Sequence, residues 1–189
     1  MTHGRMAVKN ALRYRDGLHE NQERLTPAYV LDPVRAALGG VIELDPCTTP
    51  ENPVGATRFY TPPQDGLALP WYAETIFCNP PYGRAREPWV AKCIEAANVE
   101  GARVVLLMPA HPDTKCFQRA AERAQSVVFL RGRLKFGTFR ANRIEKAAAL
   151  GKSDYCQEAA SHPSALFGFA VNLYETRLGV CMHPIRYVP

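Results

Sequence analysis

The tetrapeptide Asn79-Pro80-Pro81-Tyr82, set directly after the apolar run Thr75-Ile76-Phe77-Cys78, constrains this chain more than any other stretch. The run reads as a short buried strand, and two prolines followed by Gly83 forbid its continuation. A buried strand that stops abruptly in a loop belongs to an open α/β sheet, where ligands gather at the carboxyl ends of the strands.

The same four residues suggest a chemistry. Proline fixes its own φ and restricts its predecessor, so the Asn79 side-chain oxygen and the Pro80 carbonyl are expected to converge as two hydrogen-bond acceptors. Two such acceptors suit a conjugated amino group such as the 6-amino group of adenine. Its nitrogen is a poor nucleophile until its hydrogens are held out of the ring plane. Tyr82 is placed to stack on a flat base. The expected catalytic set is therefore Asn79, Pro80, Pro81 and Tyr82, and the expected reaction is methyl transfer to nitrogen. A plain strand-closing turn with Tyr82 as an ordinary half-buried aromatic is the alternative.

Around this stretch the pattern alternates. Thr26 is expected to cap a helix with Pro27 at its first position, Pro33 to bend or restart that helix, and Gly39-Gly40 to end it. Val41–Leu44 reads as a strand delivering Asp45 to its carboxyl end, where a carboxylate suits a ribose hydroxyl or an amine of a nucleoside cofactor. Residues 48–66 are expected to loop around that crevice, with a short strand at 56–60. Helical spacing covers 88–98 and runs from a cap at Asp113 or Thr114 to Ala124. Strands are expected at 103–108, 126–130 and 165–174, with an edge at 180–182. Ala141–Pro163, alanine-rich and charged, carries no strand signal and is expected to be a loop or marginal surface helix. Strands alternating with helices predict an α/β layered sheet.

At 189 residues and 47% hydrophobic, the chain suits one domain, residues 25–189, behind a basic tail at 1–24 and with a basic surface insertion at about 137–163. No run has the length of a membrane span and the start lacks a signal-peptide core, so a cytoplasmic protein is expected. Six dispersed cysteines without a C-x-x-C pair are expected to be buried thiols, with no metal site. The formal charge is +5, but residues 131–152 hold seven basic residues against one acid, leaving the rest of the chain close to neutral. That excess predicts a polyanionic partner, with Arg131, Arg133, Lys135, Arg140, Arg143 and Lys146 as its contacts.

Taken in order, Thr26-Pro27, Leu44-Asp45-Pro46-Cys47, Asp65-Gly66-Leu67 with Trp71, Phe77–Gly83, Trp89, Pro109-Ala110 with Asp113-Thr114, and Gly132-Arg133 with Phe136 resemble the phage-type DNA N6-adenine methyltransferases, a Dam-like family. The resemblance implies a Rossmann-like α/β fold with a mostly parallel sheet flanked by helices. It also implies S-adenosylmethionine as donor and, as partner, double-stranded DNA with an adenine flipped out of it. It places Thr26, Pro27, Asp45, Pro46, Cys47 and Asp65 at the cofactor. Thr48-Thr49-Pro50 stands where the family has Gly-x-Gly. Methylation of cytosine amino groups, RNA or a protein glutamine, and a silent DNA-binding relative, are the other readings.

Overall fold

In the computed structural model, which describes residues 25–82, 86–137 and 157–182, the elements are α1 (Ala28–Ala37), β1 (Leu44–Asp45), β2 (Arg58–Phe59), β3 (Thr75–Cys78), α2 (Arg86–Val99), β4 (Arg103–Pro109), α3 (Lys115–Arg123), β5 (Ser126–Leu130), β6 (Lys135–Gly137), β7 (Gln157–Ala159), β8 (Ser164–Phe169), a 3-10 turn (Tyr174–Thr176) and β9 (Gly179–Met182). The expected tail at 1–24 and residues 138–156 of the expected insertion lie outside the described residues.

One sheet takes the order β2-β1-β3-β4-β8-β5-β9, and β6 pairs with β7 beside it. The pairs β1–β2, β1–β3 and β3–β4 are parallel. Strand β8 runs antiparallel to both β4 and β5, so β5 shares the direction of the first four, and β9 runs against β5. Five of the seven strands thus share one direction, the mostly parallel sheet that the resemblance implied, although its last three pairings are antiparallel.

Alternation along β4 explains its layers. Val104, Leu106 and Met108 join Trp89, Val90, Cys93, Phe117 and Ala120 of α2 and α3 on one face. Val105 and Leu107 join Val30, Leu31 and Val34 of α1 on the other. Burying such a side chain contributes about 1.5–3 kcal/mol, against roughly 1–2 kcal/mol for fixing the backbone of its residue, so a strand apolar on both sides forms wherever two helical layers can cover it.

Four expectations need correction. The N-cap of α1 is Pro27 rather than Thr26: the Pro27 carbonyl accepts from the N–H groups of Val30 and Leu31, and its extended ψ of 151° places the helix start one residue later. Pro33 does not restart the helix but lies within an unbroken α1; the carbonyl it deprives of a donor is that of Tyr29, an exposed residue, where solvent can serve it. The strand expected over 165–174 ends at Phe169, because Ala170 takes a positive φ of 53° and turns the chain. Finally, Gln157–Ala159 is a strand after all, held by pairing with Lys135–Gly137 rather than by β-branched residues of its own.

The expected helix stop holds: Gly39 and Gly40 have φ of 91° and 98°, and the Gly40 N–H donates to Arg35 O at 2.8 Å. Thr114 caps α3, its hydroxyl accepting from the Phe117 N–H at 3.4 Å. Among the described residues no helix is long and apolar enough to cross a membrane.

Candidate functional site

The sheet order reverses between β1 and β3: from β1 the chain goes to one side as β2, then returns to the other as β3. Open α/β sheets bind ligands above such a reversal, at the carboxyl ends of the strands. Asp45 and Asn79 both stand there, at the ends of adjacent strands.

Asp45 is 2% exposed. Its Oδ1 accepts from the Cys47 N–H at 3.1 Å. Burial pushes its carboxyl from the ordinary 3.8 up to about 7, because removal from water penalises the charged form more than hydrogen bonds from Cys47 and Thr48 favour it. Beside it, Cys47 Sγ and Cys78 Sγ are 3.7 Å apart. Burial raises both thiols, which suits packing rather than nucleophilic attack.

The turn that carries Asp65 lies against the Asp45-Pro46-Cys47 turn through Gly66. An added Cβ on Gly66 would meet Pro46 O at 1.9 Å and the Trp89 ring at 3.0 Å, so only a residue without a side chain lets the two turns touch. The Asp65 side chain is exposed and accepts from the Leu67 N–H at 2.9 Å, while its carbonyl serves Ala68 and Leu69. Trp71 Nε1 donates to Gly66 O at 2.7 Å and packs against Trp89, with centroids 6.1 Å apart. Lys92 of α2 completes the turn, its Nζ donating to Leu67 O at 2.6 Å and Leu69 O at 2.5 Å. Sequence reasoning missed Lys92. The signal was there: it lies three residues after buried Trp89 and directly before buried Cys93, so its ammonium is carried towards the core and needs acceptors.

On the other side of the crevice, Asn79 Nδ2 donates to Thr26 Oγ1 at 3.2 Å, which directs the opposite end of the amide, Oδ1, away from Thr26. The residue read as a helix cap instead orients Asn79. Leu25 and Gly137 exchange backbone hydrogen bonds at 3.2 and 2.9 Å, fastening the Thr26-Pro27 turn to β6. Phe136 of β6 in turn meets Tyr82 edge to face, centroids 6.2 Å apart. Two distant segments, residues 25–27 and β6, thus brace the tetrapeptide and are fastened to each other.

Of the basic residues, Arg131, Arg133 and Lys135 are exposed. Arg133 donates through Nη1 to Ser161 O at 2.6 Å and so also braces the approach to β8. Arg140, Arg143 and Lys146 lie outside the described residues. A cleft of about 550 Å³ lined by Pro33, Arg103, Gln125, Ala170 and Glu175 lies at the opposite end of the sheet, where β4 and β5 begin, and contains none of the residues above.

The family model described as DNA N-6-adenine-methyltransferase (Dam) matches residues 19–159. A protein of Haemophilus phage HP1 (strain HP1c1), named DNA N-6-adenine-methyltransferase, is 27% identical over 105 residues, which are 56% of this chain and 60% of the phage protein. The chain thus matches about three fifths of that relative's length.

Proposed function

Because this chain belongs to the DNA N-6-adenine-methyltransferase (Dam) family, we propose that it transfers a methyl group from S-adenosylmethionine to the 6-amino group of an adenine flipped out of double-stranded DNA. Its sheet is accordingly a methyltransferase fold, and the observation that carries the reading is Asn79, oriented by Thr26 at the carboxyl end of β3 beside buried Asp45.

The residues at the end of β1 fit a nucleoside donor. A buried carboxyl that resists ionisation on its own gains an ionised, hydrogen-bonded state when hydroxyl or amine donors arrive, and Asp45 is such a group. Pro46 and Cys47 continue its turn, Asp65 flanks it, and Pro27 borders the Asn79 side. When bound, S-adenosylmethionine supplies an electrophilic methyl group. Asn79 Oδ1 and the Pro80 carbonyl hold the two amino hydrogens of adenine. As that nitrogen gains positive charge these acceptors strengthen, and preorganisation means that no protein dipole has to reorient at that moment. Pro81 fixes the turn. Tyr82, braced by Phe136, gives the extruded base a platform that offsets the few kcal/mol of lost stacking and pairing. Arg131, Arg133 and Lys135, with Arg140, Arg143 and Lys146, supply the phosphate contacts that set register.

Incubation with methyl-labelled S-adenosylmethionine and separated pools of DNA, RNA and protein tests the substrate class. Label in DNA is expected; label confined to RNA or to protein glutamine contradicts the reading.

Two consequences concern residues that flank Asn79. Thr26→Val keeps the size of the side chain and removes the hydroxyl, so Asn79 loses its orienting partner. A fall in kcat of roughly tenfold, worth about 1.4 kcal/mol, is expected with the S-adenosylmethionine Kd within twofold of wild type. Calorimetry with single-turnover kinetics separates the two; a weakened Kd at unchanged kcat would make Thr26 a cofactor contact only.

For Asp45 the folded pKa of about 7 lies above the unfolded value of 3.8, so the group's contribution to stability is complete below pH 4 and is lost as pH rises through 7. In the ligand-free protein that loss is roughly 4 kcal/mol, and Asp45→Asn removes it. The variant is therefore expected to melt higher than wild type at pH 8 and to bind S-adenosylmethionine more weakly. Its affinity should lack the tightening between pH 6 and pH 8 that wild type shows as the carboxylate forms. Identical melting profiles over pH 5–8 would place Asp45 in contact with water.

A further inference from the structure

A pair of histidines stands on the same edge of the sheet as Asn79, and neither has a part in the reading above. Strand β4 pairs with β3 in parallel and ends at Pro109. Two residues later His111 meets His162, which precedes β8, with ring centroids 4.4 Å apart at 84°. The Ala110 N–H, donating to Pro163 O at 2.8 Å, holds the two loops together. The Thr114 N–H and hydroxyl, donating to His111 O at 3.0 and 2.8 Å, fix the His111 backbone. Ser161 Oγ lies 2.9 Å from His162 Nδ1, and Arg133 grips the Ser161 carbonyl. His162 is exposed and His111 is half-buried. We propose that His111 and His162 form a phosphate-binding point for the DNA strand next to the flipped adenine. The proposal rests on the reading of the chain as a DNA methyltransferase.

The charges around the pair favour an anion. Arg86 at the start of α2 and His162 each lower the His111 pKa by repulsion, burial lowers it most, and Asp113 alone opposes them. Arg133 adds a cation on the His162 side. Two imidazoles in edge-to-face contact cannot both charge cheaply while no anion is near. A phosphate diester docked against the outer edge of the pair reverses that balance at His111, so docking of the duplex is accompanied by proton uptake. It joins the rim formed by Arg133 and Lys135, placing a backbone contact beside the end of β4 and thereby fixing which nucleotide faces Asn79.

The test is the pH dependence of duplex affinity, measured by fluorescence anisotropy from pH 5.5 to 8.5 with S-adenosylhomocysteine present to prevent turnover. Wild type, His111→Gln and His162→Gln are compared, with calorimetry in two buffers of different ionisation enthalpy to count protons. Wild type is expected to bind at least about tenfold tighter at pH 6 than at pH 8 and to take up close to one proton. Each variant should lose most of that slope while keeping its melting temperature and its cofactor affinity. Because His162 is exposed, its variant keeps the test available if His111→Gln folds poorly. Unchanged pH slopes in a variant that still methylates DNA would overturn the inference and leave the function intact. Absence of duplex binding by wild type would overturn both.

Discussion

Asn79→Ala is expected to slow methyl transfer by about 10²–10³-fold while leaving the cofactor and the fold almost untouched. The substitution removes the side-chain acceptor of the tetrapeptide and the partner of Thr26, and leaves the Pro80 carbonyl in place. Deleting one preorganised hydrogen-bonding group aimed at developing charge typically costs about 10²–10³ in kcat, or roughly 2.7–4 kcal/mol. Because the interaction strengthens mainly in the transition state, kcat and kcat/KM should fall together. Asn79 is partly exposed at the end of β3, so the melting temperature should move little. Single-turnover transfer by the variant within tenfold of wild type would remove Asn79 from the mechanism.

Gly66→Ala is expected to have the largest structural effect of any single methyl group added near the site. The new Cβ would lie 1.9 Å from Pro46 O, a backbone atom that cannot rotate away. Either the Asp65–Leu69 turn or the Asp45-Pro46-Cys47 turn has to move, and Trp71 and Lys92 both anchor the first through carbonyl oxygens. Overpacking of this kind costs about 1–3 kcal/mol and occasionally more, and a contact to rigid backbone belongs at the upper end. Since both turns border the proposed cofactor site, S-adenosylmethionine affinity should fall at least tenfold even where the variant remains folded. A Gly66→Ala protein with wild-type melting and wild-type cofactor affinity would mean that the turns are not rigidly coupled.

What could be read from the sequence followed from local chemistry. Val104–Met108 is apolar at every position, so a doubly covered strand was the economical reading, and Thr75–Cys78 followed by two prolines fixed where the next one ends. Gly39-Gly40 and Thr114 ended and began helices for reasons contained within a few residues. The errors came from contacts between distant segments. Nothing near Gln157–Ala159 favours a strand; Lys135–Gly137 imposes it. Thr26 carries the residue type of a helix cap, yet its hydroxyl is taken by Asn79, 53 positions away. His111 and His162 are isolated in sequence and become neighbours because β4 and β8 pair antiparallel with Pro109 opposite Ser164. The tetrapeptide was legible as a motif, while the two segments that brace it, residues 25–27 and β6, were not legible as its neighbours.

The central claim is that Asn79 and Pro80 act on the amino group of adenine. It is tested most directly by digesting duplex DNA to nucleosides after incubation with methyl-labelled S-adenosylmethionine, and separating the labelled products by chromatography. The label is expected to co-migrate with N6-methyldeoxyadenosine in the wild-type reaction and to fall by about a hundredfold or more in the Asn79→Ala reaction at equal time. Label migrating with N4-methyldeoxycytidine, or an undiminished N6-methyldeoxyadenosine peak from Asn79→Ala, would contradict the account.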